Sequence, residues 1–402
     1  MLRVNHFSTS DIRGGASLAA FRMHKCVERS GFYESKMIVQ RKYSYDESVY
    51  LGADFGDLLH KGMSKLSRVW LRSQYGRDYT YRSGCNIGRA WKNVSTMWPA
   101  DVYHIHWIQG GFINACSLKN TEVPVVWTLH DMWPIYGLEH YPSVDHQERK
   151  GSTAGESVHR LIGSPHNLLS FHCTTEWMAK QVLESPWGNH YKIYQIPYPL
   201  SNEFFDVENR AEVRDYLGIG SEEFVIVYGA INATGDKRKG YDLLKQCLIR
   251  LVSIGIRARL LIFGCEFLNE QDKQDLHAFR PLCVGFIKEA ARLAEIYSAC
   301  DVMIVPSRIE AFGQTATEAQ ASGLPTVCFS GSGVSELIED GQTGFVVPAF
   351  DSVHMAQCVY NLYSNKELQR FMSANAKKRA QRLWSEEVIG GKMYSMYRSI
   401  LG

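Results

Sequence analysis

Short apolar runs punctuate the chain, each too brief for a typical helix. LRVNHF, KMIVQ, DVYHIHWI, PVVWTLH, LLSFHCT and YKIYQIP fall in the first 198 residues, and several are rich in Val, Ile and Tyr. Such runs read as strands buried on both faces. Segments with helical spacing, such as GASLAAFRMHKCVERS, separate some of them. Strands alternating with helices predict a parallel sheet covered on both faces. At 196–205, IPYPLSNEFF brackets a tyrosine with prolines and turns polar, which predicts a linker. Beyond it the alternation restarts with FVIVYGAI, RARLLIFGC, PLCVGFI, VMIVPS, PTVCFS and GFVVP. The pattern therefore predicts an α/β chain with two Rossmann-like domains, 1–198 and 199–380, facing a central cleft. The remainder, 381–402, reads as a C-terminal helix crossing back to the first domain, with Gly390 and Gly391 as the expected kink. Ligands of such sheets bind beyond the carboxyl ends of the strands, so the loops there are searched for chemistry.

Composition narrows the function classes. The formal net charge of the 402 residues is only +2, which gives no support for nucleic acid as a partner. Ten cysteines are scattered without a C-x-x-C pair and mostly within apolar segments. They read as buried free thiols of a reducing cytoplasm, not as a disulfide framework or zinc site. The N-terminus enters a strand at once, and no uncharged apolar run approaches the ~18 residues of a membrane span. The expected location is cytoplasmic, with any membrane contact peripheral and on the inner face of the plasma membrane.

One stretch is locally basic. Between 60 and 93 stand Lys61, Lys65, Arg68, Arg72, Arg77, Arg82, Arg89 and Lys92, with Asp78 as the only acid. Trp70, Tyr75, Tyr79, Tyr81 and Trp91 are interleaved. Such a segment suits an anionic membrane surface or the phosphates of a lipid-linked acceptor. A solvated helix and loop is the plainer reading of the same residues.

The loops after the strands carry the candidate chemistry. In PSRIEAFGQTATEAQASGLPTV, Glu310 follows a strand, and a helix carrying Glu318 starts near Thr315. Gly323 fits a left-handed cap, and Pro325 forbids continuation. The amides of Phe312, Gly313 and Gln314 lie at the helix start, where an anion is favoured. Two carboxylates beside an anion site suit a ligand with hydroxyls and phosphates. Gly14 and Gly15, after the first strand, allow a backbone to approach a ligand closely. His106 and His130 end successive strands and are candidates for the same cleft, whereas His104 alternates with His106 and reads as core. Lys239 precedes Gly240 after the first strand of the second half.

The stretch PSRIEAFGQTATEAQASGLPTVCFSGSGVSELIEDGQTGFVVPAFD resembles the donor-binding region of family 4 glycosyltransferases, which have the GT-B fold. Glu310 and Glu318 match the family's E-x7-E motif, and Gly333, Glu336 and Gly344 match the pattern that follows. The resemblance implies that Glu310 contacts the donor sugar and Glu318 the nucleotide ribose. It places His106 beside the reacting carbon, His130 and Asp131 on the acceptor side, and the Gly14–Gly15 loop near the diphosphate. Lys239 matches the family lysine at the diphosphate, while Ala230 stands where an arginine is common. Lys237 or Arg238 is then the substitute cation.

The implied activity is retaining transfer of a sugar from a nucleoside-diphosphate sugar to a hydroxyl of a glycan or polyprenyl-diphosphate-linked oligosaccharide. No cofactor or metal is implied, and no D-x-D motif flanked by strands is present. TLHDMWPIYGLEHY resembles members that build bacterial exopolysaccharide, capsule or O-antigen. A GT-B epimerase, a phosphorylase, or a non-catalytic sugar-nucleotide-binding partner stays open as an alternative.

Overall fold

The computed structural model of the chain describes all residues except 1, 53–56, 76–81, 85–86, 137–138, 142–167, 187 and 208. Cys85 and, in the basic stretch, Arg77, Asp78, Tyr79 and Tyr81 lie outside the described residues. The chain divides into two compact units, 1–199 with 387–402, and 200–386.

Unit 1 is built on a seven-stranded, all-parallel sheet. Its strands are β1 (Leu2–Ser10), β2 (Tyr33–Arg41), β3 (Val49–Leu51), β4 (Val102–Ile105), β5 (Val125–Thr128), β6 (Leu169–Cys173) and β7 (Lys192–Gln195). Their order is β3-β2-β1-β4-β5-β6-β7, so the connections reverse direction between β1 and β4. The strands β4, β5 and β6 are buried at every position, as helices on both faces require. Only β3, three residues long, has no counterpart among the apolar runs read as strands.

Unit 2 repeats the scheme with six parallel strands. They are β8 (Phe224–Gly229), β9 (Ala258–Phe263), β10 (Leu282–Cys283), β11 (Val302–Val305), β12 (Thr326–Phe329) and β13 (Gly344–Val347). The order β10-β9-β8-β11-β12-β13 puts the reversal between β8 and β11.

The stretch 196–205 contains the junction between the units, at 199/200, as the linker reading expects, and it is packed: Tyr198, Leu200, Phe204 and Phe205 are all buried. The Leu200 amide donates to the Trp384 carbonyl at 2.8 Å, and Phe204 lies 6.4 Å from the Tyr297 ring. Its polar residues alternate with apolar ones that find the core. The C-terminal helical run breaks at Ser385, not at the glycines. Helix Lys366–Trp384 ends on a fully buried Trp384, Ser385 is extended, and helix Glu386–Leu401 follows. Gly390 lies inside that last helix, where a Cβ would sit 3.6 Å from Cys26 Sγ. That is ordinary van der Waals contact, so Gly390 faces helix Gly15–Arg29 without glycine being required there. Residues 387–402 belong to unit 1, with Tyr397 donating to His104 in its core.

Candidate functional site

In unit 2 the reversal between β8 and β11 brings two loops together at the carboxyl ends of the strands. The loop after β8 closes in a turn, Lys237–Lys239, capped by Asp236, which accepts from the Arg238 amide. Gly240 follows at φ +67, and a Cβ there would lie 1.9 Å from the Pro306 carbonyl oxygen. Only glycine lets the turn sit against the end of β11. Lys239 Nζ consequently reaches Glu310 Oε1 at 2.5 Å, and Ser307 Oγ donates to the same oxygen at 3.0 Å. The two side chains keep 24% and 14% of their surface, so the pair is accessible rather than sealed.

The second carboxylate is placed differently. Helix Gln314–Ala321 begins one residue before the position read from sequence, behind Gly313 at φ +104. A Cβ on Gly313 would meet Val334 at 2.8 Å, so the helix start packs directly on the loop after β12. Phe312 is buried, and Gln314 is the first helical residue. Glu318 lies one turn in, is 3% exposed, and accepts from the Tyr297 hydroxyl at 3.3 Å. The helix closes with Gly323 at φ +80, its amide bonded to Gln320 and that of Leu324 to Ala319, a Schellman end. The loop after β12 is held by the Gly333 amide on the Glu310 carbonyl at 2.8 Å. A Cβ on Gly333 would lie 2.2 Å from the Ala311 carbonyl oxygen, which makes glycine obligatory.

The cations around the pair have distinct tasks. Arg238 turns back on Asp236, with Nη2 at 2.6 Å and Nε at 3.1 Å. Burial works to raise the Asp236 pKa, and Arg238 outweighs it and holds the carboxyl below its usual range. Lys237 is exposed, and its carbonyl receives Arg308 Nη1 at 3.0 Å. Arg308 also grips Asp242 with two bonds of 2.6 and 2.7 Å, and its amide donates to the Arg238 carbonyl. Arg308 thus fastens the Lys237–Lys239 turn to the loop bearing Glu310. Sequence reading passed over it because a guanidinium in a loop gives no sign of its partner.

In unit 1 the corresponding reversal carries histidines. His6 on β1 pairs in register with His104 on β4, and His106 stands two residues on, on the same face. All three are buried. Two hydrogen-bonded chains run through them. In one, His6 Nδ1 meets His106 Nε2 at 2.9 Å, His106 Nδ1 meets His130 Nε2 at 3.0 Å, and Tyr198 meets His130 Nδ1 at 2.6 Å. In the other, Tyr397, His104, Thr128 and His172 follow one another and end on the Ile196 carbonyl. That carbonyl can only accept, which fixes the second chain. His172 donates from Nε2, Thr128 donates to His172 Nδ1, His104 donates from Nε2, and Tyr397 donates to His104 Nδ1.

Burial holds these imidazoles neutral. It pushes His6, His104 and His106 well below the ordinary histidine value, His172 down to about 4 and His130 to about 3. The structure therefore places both nitrogens of His106 and of His130 in bonds to protein groups. His106 is 1% exposed, and His130 stands one step nearer the surface. His6, Tyr198 and His172, their partners, were missed because histidines on different strands show no spacing signal.

Ligand nitrogens of His6, His104 and His106 lie within 4.8 Å of one another, a spacing that could hold a metal ion. A metal there would have to displace bonds to Tyr397 or Thr128 and to His130. Asp131 is committed locally. It accepts from the Trp133 amide at 3.0 Å and meets His140 Nδ1 at 2.6 Å, while His140 Nε2 meets Ser83 at 2.8 Å. Burial raises the Asp131 pKa, but His140 and the amide outweigh it and leave it lowered.

Gly14, at φ +101, precedes helix Gly15–Arg29. A Cβ on Gly14 would meet nothing, so its role is conformational. The loop before it is held by Asp11, whose buried carboxylate accepts from the amides of Ile12, Tyr43 and Ser44.

Comparison with known proteins agrees with this architecture. Residues 209–379 match the family model of glycosyl transferases group 1. The chain is 28% identical over 234 residues to a capsular polysaccharide biosynthesis glycosyltransferase, CapM, of Staphylococcus aureus, covering 56% of this chain and 60% of that relative. It is 24% identical over 314 residues to D-inositol 3-phosphate glycosyltransferase 1 of Catenulispora acidiphila, covering 75% and 72%. The match thus spans less than two thirds of the CapM relative. Among solved structures, sucrose-phosphate synthase from Thermosynechococcus elongatus superposes with a TM-score of 0.70 at 17% identity, covering 100% of this chain and 99% of that one. The lipopolysaccharide glycosyltransferase WaaG superposes at 0.65 and 14% identity, covering 99% and 100%.

The fold is therefore that of the GT-B glycosyltransferases. Within it, the part that resembles glycosyl transferases group 1 is residues 209–379, which lie in unit 2.

Proposed function

We propose that the protein is a retaining glycosyltransferase that uses a nucleoside-diphosphate sugar and extends a glycan or lipid-linked glycan in bacterial surface polysaccharide synthesis. The observation that carries the proposal is the Lys239–Glu310 pair at the reversal between β8 and β11. Open α/β sheets bind ligands at that point. A diphosphate arriving at Lys239 exchanges one anion for another on the ammonium. Glu310 is then released to accept bonds from sugar hydroxyls. Glu318, buried one helical turn away, serves the ribose hydroxyls. The amides of Phe312, Gly313 and Gln314 and the exposed Lys237 add positive potential for the leaving diphosphate.

With Arg238 turned back on Asp236, the exposed Lys237 is the candidate to replace the family arginine missing at Ala230. Arg308 holds the turn that positions Lys239. The attacking acceptor hydroxyl approaches the donor face from which the diphosphate departs and passes its proton to the leaving phosphate. No resident metal or cofactor is invoked in this reading. His106 and His130 supply a rigid neutral wall with Asp131 on the acceptor side. Two structural neighbours fit the reading: HepE of Anabaena was solved with UDP and glucose, and TarM of S. aureus with UDP and α-GlcNAc-glycerol.

The basic stretch fits peripheral contact with the inner face of the plasma membrane. Helix Asp57–Tyr75 exposes Lys65, Arg68 and Arg72 beside Leu66 and Val69, each of the last two 58% exposed. Among the described residues no helix is long and apolar enough to cross a membrane.

A panel of nucleotide sugars tested for thermal stabilisation checks the donor class. A true donor at ~100 times its dissociation constant adds about 2.7 kcal/mol. Lys239→Ala should abolish that stabilisation. Equal stabilisation of wild type and variant would overturn the assignment.

A further inference from the structure

Cys265 and Cys283 are far apart in sequence, yet their sulfurs lie 3.8 Å apart. Cys283 ends β10, and Cys265 lies two residues beyond β9, its parallel neighbour. The two loops stay joined past the strands, by the Gly264 amide on the Gly285 carbonyl and the Gly285 amide on the Cys265 carbonyl. Both thiols are half-buried, unlike Cys26, Cys173, Cys247, Cys300, Cys328 and Cys358, which are buried. Burial also pushes Cys173 and Cys247 up to about 12, which makes them inert. Cys283 goes the other way: the S–H of Cys265, with the Leu268 amide and Lys273 adding to it, holds its thiol below the ordinary value against burial.

The pair is wired to the loop that bears Lys239. A Cβ on Gly264 would lie 1.9 Å from the Ala230 carbonyl oxygen, so the Cys265 loop presses on the residue after β8. Cys265 and Cys283 pack against the core cluster that holds Tyr241, which follows Gly240. Its ring is 6.0 Å from that of Tyr228, whose hydroxyl donates to the Ala233 carbonyl at 2.6 Å, within the same β8 loop.

We propose that Cys265 and Cys283 form a reversible thiol–disulfide pair that responds to low-molecular-weight disulfides and shifts the Lys239 turn when oxidised. The Cys283 thiolate attacks one sulfur of R–S–S–R, forming a mixed disulfide and releasing one thiolate. Cys265 gives up its proton to solvent and attacks the Cys283 sulfur, forming the protein disulfide and releasing the second thiolate. Two protein thiols are oxidised, and one disulfide is reduced to two thiols. Closure draws the sulfurs from 3.8 Å to ~2.05 Å, which moves a loop that presses on Ala230 and side chains packed on the cluster holding Tyr241. The coupling half of this proposal rests on the glycosyltransferase reading; the thiol chemistry does not.

The test uses the full chain and oxidised glutathione. Mass spectrometry of the native protein should show loss of two hydrogens and a crosslink between the peptides holding residues 265 and 283, reversed by dithiothreitol. Cys265→Ser should stop at a glutathione adduct on Cys283, and Cys283→Ser should react slowly at residue 265. A crosslink that forms only after denaturation, or none, overturns the pair. Uridine diphosphate should bind the reduced and oxidised forms with affinities at least threefold apart. Equal affinities with the crosslink present overturn the coupling. Absence of binding by both forms overturns the glycosyltransferase reading and the coupling with it, while the crosslink result still decides the thiol chemistry.

Discussion

The two sheets reverse their strand order in the same way, between β1 and β4 in one unit and between β8 and β11 in the other, yet the two points are filled by opposite chemistry. In unit 1 the point carries imidazoles kept neutral by burial and bonded to each other. In unit 2 it carries a lysine and a glutamate that pair with each other and keep part of their surface. The difference lies in depth. His6 and His104 sit within strands, on a face covered by the helix that carries Tyr397. Lys239 and Glu310 sit in loops beyond the strand ends. A polar group in the strand must be satisfied by protein, whereas one in the loop can exchange partners. Topology therefore offers two equivalent places: His106, just past the end of β4, is still sealed in the fold, whereas Lys239 and Glu310, well past β8 and β11, keep part of their surface.

Acid should separate the two units most sharply. His24, His130 and His172 fold with pKa values of about 4, 3 and 4, against an ordinary 6.5. Their folded values are depressed, so below pH 6.5 the unfolded chain binds the extra protons and stability falls as pH falls. The loss begins near pH 6.5 and grows until the folded values are reached. At pH 5 it is roughly 2 kcal/mol for each of the three, about 6 kcal/mol together. Eight of the nine tryptophans precede residue 200, so tryptophan fluorescence reports unit 1. Fluorescence against urea at pH 7.5 and 5 should show this unit losing far more stability than the whole-chain circular dichroism. A pH-independent midpoint would contradict neutral imidazoles in the core.

Glu310→Ala should show the reverse behaviour. The side chain lies on a loop and keeps 14% of its surface, so the melting temperature should change little. Transfer should fall by ~10²–10³-fold, the range for losing one preorganised polar group at a reacting centre. A folded variant that keeps wild-type turnover would remove Glu310 from the site and leave the comparison without its catalytic half.

His106→Ala belongs between these cases. It strands His6 Nδ1 and His130 Nε2 in the core and opens a cavity. Roughly 2–4 kcal/mol of stability should be lost. Any fall in maximal rate should exceed the fall in donor affinity, because the histidine acts through the wall and not on the nucleotide. Unchanged stability with a weaker donor would move His106 to the binding side of the comparison.

Most of the fold was legible because buried parallel strands announce themselves as apolar runs bounded by turn residues. The E-x7-E spacing, Gly323 and Lys239–Gly240 were legible because each is local: a turn, a cap or a helix start fixes it within a few residues. What stayed hidden was pairing across strands. His6 with His106, Arg308 with Asp242, and Cys265 with Cys283 depend on register and strand order, which periodicity does not encode. The stretch 196–205 was legible as the junction because its prolines and polar residues interrupt the alternation, while the burial of Phe204 and Phe205 is decided by what lies opposite them.

The smallest expected effect concerns helix Asp57–Tyr75, which belongs to unit 1 and yet behaves like the exchangeable side of the comparison. Lys65, Arg68 and Arg72 are exposed, and the apolar Leu66 and Val69 share that surface. A solvated helix has no need of two large apolar side chains there, whereas a helix lying on an anionic bilayer uses both kinds of residue. Each basic side chain near such a surface contributes ~1 kcal/mol, and salt screens it. Arg68→Gln should therefore weaken binding to anionic liposomes about fivefold at low ionic strength. The same change should leave the melting temperature and transfer to a short soluble acceptor as they were, because the donor residues lie in unit 2. Val69→Ser should weaken the binding in a way that salt does not mimic. Co-sedimentation with neutral liposomes as strong as with anionic ones, or with neither, would return this helix to the solvated reading.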